Sequence, residues 1–375
     1  MAGATTLKLR KLWLQVHKWI GLLLAILIIP VSVTGSALVW HDGLDLMLNP
    51  ERSVEGSAGQ SPSAYVAAAQ GALQPGERVA SIRMPEGGEG AVLVSAARPP
   101  QEGQGRPVRT NVWLHPETGA VIDTAASNEG AVRILHQLHG SLMVPGVGRQ
   151  IVGWVGVFML ISCLTGIWLW WPVTGSVRRG FRWKRQPSFN ANLHHQMGFW
   201  VLVPLAMLSF TGVWISFPQT FSTFEASRPM GGGASQGPPR PPQPAEQTAL
   251  TANAAVAAAR AQAGDAQLVT VNWPTTERAD WGVGFVREEG GPADYRVGDA
   301  DAKVTPPGPP QPETIARVMR RWHDGDGMGF GWQLIIFLGG IIPAILSVTG
   351  ILMWWRSRKW RGGAKGRKAE PAAAE

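Results

Sequence analysis

Cysteine is all but missing from this 375-residue chain, with Cys163 the single one. No disulfide can form within the chain, and no C-x-x-C-H is present for covalent attachment of a haem. No catalytic triad, no metalloprotease motif and no G-x-G-x-x-G behind a strand is found, so hydrolysis and dinucleotide binding have no basis in the sequence. Charge is also scarce, at 16% of residues, and it is absent altogether from four long runs at 19–40, 150–177, 196–224 and 327–355.

Those runs are what the chain has in place of charge. A helix needs about 20 apolar residues to cross the hydrocarbon core of a bilayer, and each run is long enough. Mean hydropathy over the whole chain is zero, because apolar runs alternate with polar stretches rich in Gly and Pro. The runs must therefore be read locally. Trp40, Trp168, Trp170, Trp171, Trp354 and Trp355 cluster at run ends, where an indole sits at headgroup level. Pro30, Pro204 and Pro343 fall inside runs and are expected to kink them.

Basic residues orient the runs. The N-terminal flank, the stretch 178–185 and the tail from Arg356 hold 16 of the 34 Lys and Arg. By contrast, 42–146 carries 7 bases against 11 acids, and 218–326 carries 10 against 13. The positive-inside rule places both termini and 178–185 in the cytoplasm and the two long stretches outside. The pI of about 10.1 then reflects topology and not nucleic-acid binding. The first run is longer than a signal-peptide h-region and is expected to be retained as a span.

One phrase recurs four times: SVTGSALVW at 32–40, CLTGIWLWW at 163–171, SFTGVWISF at 209–217 and SVTGILMWW at 347–355. The long stretches repeat as well. Helix-like 63–73 is followed by strand-like 78–84 and 91–97 and a hairpin over 111–123; helix-like 251–262 is followed by 268–274, 281–286 and 294–305. Gly119 in the first hairpin turn is matched by Ala302 in the second. The expected fold is membrane α-helical, with four transmembrane helices from a duplicated helix, external α+β domain, helix unit. Its segments are 1–41 with the first span, external domain 42–146, second span 147–172, basic loop 173–193, third span 194–217, external domain 218–326, fourth span 327–355 and tail 356–375. The Pro/Gly-rich tethers at 228–244 and 305–312 are assigned no fold. Thr-Gly itself reads as a packing device, the small residue allowing close approach and the threonine bonding back to its own helix.

Four of the eight histidines keep the repeat's register. His17 and His194 each lie 17 residues before a Thr-Gly threonine, and His139 and His323 each lie 26 before one. Gly21 and Gly198 follow the first two by one helical turn, leaving room for a flat macrocycle beside the imidazole. By topology, one pair lies near the cytoplasmic surface and the other near the external surface. Two imidazoles facing across a helical bundle are the usual axial ligands of a b-type haem, so His17, His139, His194 and His323 are the candidate ligands, for one or two haems b. His41 and His136 are weaker candidates, since Pro218 and Arg320 stand at their repeat positions; His136 and His139 also form an H-x-x-H able to bind metal. His195 points away from His194 on the helix, and His115 sits in a hairpin turn.

The stretches HKWIGLLLAILIIPVSVTG, LHQLHGSL, LHHQMGFWVLVPLAMLSFTG and WHDGDGMGFGWQLIIFLGGIIPAILSVTGILMWW resemble those of PepSY-associated transmembrane-helix proteins, over nearly the whole chain. That family includes iron-regulated inner-membrane proteins and ferric-siderophore reductases that bind haem between their helices, and the resemblance puts His17, His139, His194 and His323 on its recurrent histidine positions. It implies two external PepSY-like domains and a multi-pass protein of a bacterial inner membrane. The expected activity is one-electron reduction of external ferric iron or a ferric siderophore, fed by a quinol or a cytoplasmic reductase. The competing expectation is a non-enzymatic protein whose external domains bind or restrain a peptidase or cell-envelope factor. An iron-chelate transporter is disfavoured, because the spans contain no acidic pair.

Overall fold

The computed structural model describes residues 4–85, 87, 89–98, 108–171, 177–183, 186–222, 242–287, 291–308 and 313–366. Most of the tether at 228–244, the end of the tether at 305–312, Lys184 and Arg185 of the basic loop and the tail from residue 367 lie outside them. In chain order the helices and strands are α1 (Ala4–Leu38), α2 (His41–Leu48), α3 (Pro62–Gln70), β1 (Arg78–Arg83), β2 (Val92–Ala97), β3 (Arg109–Leu114), β4 (Val121–Ala126), α4 (Ala131–Ser141), α5 (Gly148–Trp170), α6 (Phe189–Trp200), α7 (Leu202–Ser216), α8 (Pro218–Phe221), α9 (Ala252–Ala263), β5 (Gln267–Asn272), β6 (Asp280–Arg287), β7 (Gly291–Gly298), β8 (Val304–Thr305), α10 (Ile315–Asp324) and α11 (Gly329–Gly366). They fall into two compact units: a helical unit of 1–41, 134–230 and 313–375, and a sheet unit of 42–133 and 231–312.

In the helical unit, α1, α5 and α11 are long and apolar enough to cross a membrane. The third uncharged run forms α6 and α7, which meet at a 64° bend. The break has a covalent cause. Pro204 supplies no N–H to the carbonyl of Trp200, the last residue of α6, and its ring crowds that carbonyl. Prolines 30 and 343, by contrast, are carried inside unbroken helices. Small residues bring the helices together: a Cβ on Gly340 of α11 would collide with Ser36 Oγ of α1, whose hydroxyl donates to Phe337 O at 3.0 Å. Leu23, Ile26, Leu164 and Val203 point outward and are more than two-thirds exposed. Apolar side chains on the outside of long apolar helices belong in lipid, and the helical unit is that of a membrane protein.

The sheet unit is one antiparallel sheet of eight strands, ordered β4-β3-β2-β1-β5-β6-β7-β8. Two separate external domains were expected; instead their first strands pair edge to edge, Ile82 opposite Val271. Joining them removes two exposed sheet edges and doubles the core available to each short half. That core runs without interruption from Tyr65, Ile82 and Val112 to Val271, Trp281 and Phe285, with α3 and α9 packed on it. Both helices begin at the hydroxyl caps their sequences offer, Ser61 and Thr251. The two hairpin turns are the same. Gly119 N donates to His115 O at 2.9 Å and Ala302 N to Gly298 O at 3.0 Å, with φ of 72° and 53°. Ala302 therefore holds a left-handed conformation at a cost of about 1 kcal/mol that glycine avoids.

A second difference concerns boundaries. The helical unit takes in the chain from Ile134 and from Glu313, so most of α4 and all of α10 stand with the membrane helices and not with the sheet.

Candidate histidine pair site

Four elements of the helical unit carry the register histidines: His17 on α1, His139 on α4, His194 on α6 and His323 on α10. Thr314 caps the start of α10 and Gly325, at φ 77°, ends it, which fixes His323 in the last turn. The turn after His139 is costlier, because Leu142 and Met143 hold φ of 51° and 57° where glycine is the usual residue. After His323 the position matching Met143 is Gly327, at φ 67°.

The folded chain brings these histidines into two pairs. The ring centroids of His17 and His194 are 6.3 Å apart, and those of His139 and His323 are 5.9 Å apart. A third pair joins the two weaker candidates, His41 and His136, at 5.8 Å. His195 lies face to face with Trp170 at 6.1 Å, and the Nδ1 of His115 accepts from Glu117 N in its hairpin turn.

Three of the four rings are held by the threonine of a Thr-Gly on another helix. His17 Nδ1 lies 3.0 Å from Thr165 Oγ1, His194 Nδ1 3.0 Å from Thr349 Oγ1 and His323 Nδ1 2.9 Å from Thr211 Oγ1. His139 Nδ1 instead bonds Val31 O at 2.8 Å, beside Thr34. The carbonyl three residues before the threonine is a partner for two of them: Val31 for His139 and Leu346 for His194. Carbonyl oxygens only accept, so Nδ1 carries the proton in His139 and His194 and Nε2 carries the lone pair. The threonine hydroxyls agree with this: Thr165, Thr211 and Thr349 each donate to the carbonyl four residues back at 2.9 Å, which leaves their lone pairs for the imidazoles.

The glycine of each Thr-Gly lies against the same ring. A Cβ would fall 2.6 Å from His139 Cε1 at Gly35, 3.2 Å from His323 Cε1 at Gly212, 3.4 Å from His17 Cε1 at Gly166 and 3.7 Å from His194 Cε1 at Gly350. The phrase read as packing is thus also the seat of the histidines. The signal was available, since four Thr-Gly and four histidines share one register; what the register could not reveal is that they touch.

Burial lowers the pKa of His139 below its ordinary value and lowers that of His323 to about 3, the neighbouring His139 ring adding to the second. Both rings are neutral at physiological pH, the form in which imidazole binds a metal.

The spacing of the pairs bears on what they could hold. Two imidazoles bound to one metal from opposite sides, with metal–nitrogen bonds of about 2.0–2.1 Å, have ring centroids about 6 Å apart. His17 and His194 also line a cavity of about 1030 Å³ in the helical unit. Gly21 and Gly198 line it too, and no atom lies within 4 Å of a Cβ built on either, so the space expected beside these imidazoles is there. Arg10, Lys11, Lys18 and Arg358 face the same cavity, with no acidic residue among its described lining. Arg10 is fixed there by the carbonyls of Trp168, Leu169 and Trp171 at the end of α5. A large, flat, apolar ligand with carboxylates at its rim fits that chemistry. Among the described residues no group of three or more His, Cys, Asp or Glu is placed to hold a bare metal ion.

A family model described as the PepSY-associated TM region matches residues 14–357, a stretch that contains all four anchored histidines and all four Thr-Gly pairs. No curated protein matches the chain.

Proposed function

The chain belongs to the PepSY-associated TM family, and we propose that it is a b-type haem protein of a bacterial inner membrane that reduces ferric iron or a ferric siderophore on the outer side. The observation that carries this reading is the pairing itself: His17 with His194 and His139 with His323, each ring held at Nδ1 with the Nε2 lone pair left as the ligand nitrogen. His17 and His194 would hold one haem in their cavity, and His139 and His323 a second. A bis-histidine haem supplies reversible one-electron transfer.

The chain's own residues do the rest. The Thr-Gly seats keep the imidazoles in one tautomer and orientation, which raises their basicity as ligands. The cationic rim of the cavity would neutralise carboxylates of the bound group. With α6 and α7 counted as one bent span, the chain crosses the membrane four times from a duplicated plan. Its basic flanks then put both termini in the cytoplasm, and 42–133 with 242–312 in the periplasm. The His17 and His194 pair faces the electron donor, a quinol or a cytoplasmic reductase, and the His139 and His323 pair faces the acceptor.

The test is spectral. Protein purified from membranes is expected to hold two haems per chain and to give sharp bands on reduction. Changing His17 or His194 to Ala should remove one haem, and changing His139 or His323 should remove the other. In membranes given a cytoplasmic-side reductant, His323→Ala should leave the inner haem reducible while blocking reduction of an external ferric chelate. A chain without haem, or one whose four variants all keep a normal spectrum, sinks the reading and leaves a binding or regulatory role for the sheet unit.

A further inference from the structure

The third histidine pair departs from the plan of the other two. His41 opens α2 and His136 lies on α4, one turn before His139, and their ring centroids are 5.8 Å apart with the rings nearly perpendicular, at 87°. Each of the first two pairs joins one histidine from each half of the chain. This pair is made within the first half alone, and the second half has Pro218 and Arg320 at the corresponding positions. A repeat cannot have copied it, so the meeting of these two side chains requires a cause of its own.

Its surroundings differ too. Both imidazoles are exposed, where those of the other pairs are half-buried, and no Thr-Gly glycine lies against either. Exposed imidazoles suit a hydrated ion and not an enclosed planar group. His41 Nδ1 donates to Leu38 O at 3.2 Å, so its Nε2 is the lone-pair nitrogen. Imidazole nitrogens select zinc, copper, nickel and ferrous iron over magnesium and calcium.

We propose that His41 and His136 clasp one divalent first-row transition-metal ion, with water or chelate oxygens completing its coordination. Two protein ligands make a site of exchange and not of storage, because metals held for structure generally have four. The binding stands on these two side chains; that the ion in the cell is ferrous iron leaving the proposed reduction rests on the reductase reading.

The experiment uses the full-length protein in detergent, free of any histidine tag, with Zn(II) followed by calorimetry and Co(II) by visible absorption. One Zn(II) per chain is expected, with no binding of Mg(II). His41→Ala and His136→Ala should each weaken Zn(II) at least tenfold, and His41→Gln and His136→Gln should do the same, as a check that the loss is not one of folding. His139→Ala and His115→Ala should keep the site. Absence of Zn(II) binding in the parent overturns the proposal, as does unchanged binding in the His41→Ala, His136→Ala double variant. Loss with His139→Ala but not with His41→Ala overturns it as well, by placing the ion on the H-x-x-H of α4. The two readings fail separately, since Zn(II) binding without haem sinks only the reductase, and haem without Zn(II) binding sinks only this site.

Discussion

Adding one methyl group at each Thr-Gly glycine should produce a graded series, because the four seats differ in tightness. At Gly35 the new Cβ would lie 2.6 Å from His139 Cε1 and 2.8 Å from Nδ1, where carbon contacts settle near 3.5–4.0 Å. The ring must retreat by about 1 Å, which strains its 2.8 Å bond to Val31 O. Overpacking of this kind costs about 1–3 kcal/mol, and a strained hydrogen bond up to about 1 more. Alanine in place of a helical glycine returns only about 0.8–1.0 kcal/mol. The net for Gly35→Ala is a loss of roughly 0–3 kcal/mol, taken from the difference of these terms. At Gly350 the Cβ would sit 3.7 Å from His194, an ordinary contact, so Gly350→Ala keeps the helical gain. Gly212 and Gly166, at 3.2 and 3.4 Å, fall between. Thermal unfolding in detergent and haem content per chain should both order the variants with Gly35→Ala lowest and Gly350→Ala at or above the parent. Equal damage at Gly35 and Gly350, or none at Gly35, would refute the argument that these glycines are shaped to the imidazoles.

Two further outcomes follow from the same geometry and from the charge pattern. Thr165→Val keeps the shape of the seat but removes the hydroxyl that faces His17 Nδ1; by the usual weight of such supporting bonds it should weaken the group held there about 10–100-fold, in titrations of haem into the haem-free protein, while Thr165→Ser should not. Single cysteines placed at Ser127 and Gln247 in a Cys163→Ser background should react with an impermeant maleimide on intact cells, and one at Ser357 only after the membrane is opened; labelling of Ser357 from outside would reverse the orientation.

Much of this was legible before any coordinates. A run without charge has one physical home, so the spans stood out, and period-two alternation located the strands to within a few residues. The register of His17 with His194 and of His139 with His323 picked out rings that do meet. Four features stayed hidden. The seats of the histidines join residues 108–155 apart in the chain, and periodicity describes neighbours on one element, not contacts between elements. The pairing of β1 with β5 was invisible because a half-buried strand reads the same with one partner or two. Pro204 announced a kink but not its 64°, which depends on what α6 and α7 pack against. The left-handed Leu142 and Met143 carry no mark at all in their side chains.

The junction of β1 with β5 also sets a timetable for biogenesis. Arg83 leaves the ribosome 184 residues before Gln267, the interval between the end of β1 and the start of β5. At about 5–20 residues per second that is roughly 10–40 s. Throughout it β1 presents an open edge, and the core strung from Tyr65 to Phe285 lacks its second half. An open edge is a template for foreign strands. The partner that closes it arrives only after two more apolar runs have been made, so maturation of the sheet waits on membrane insertion, and a chain stalled at the third run would display that edge to whatever chaperone or protease patrols its compartment.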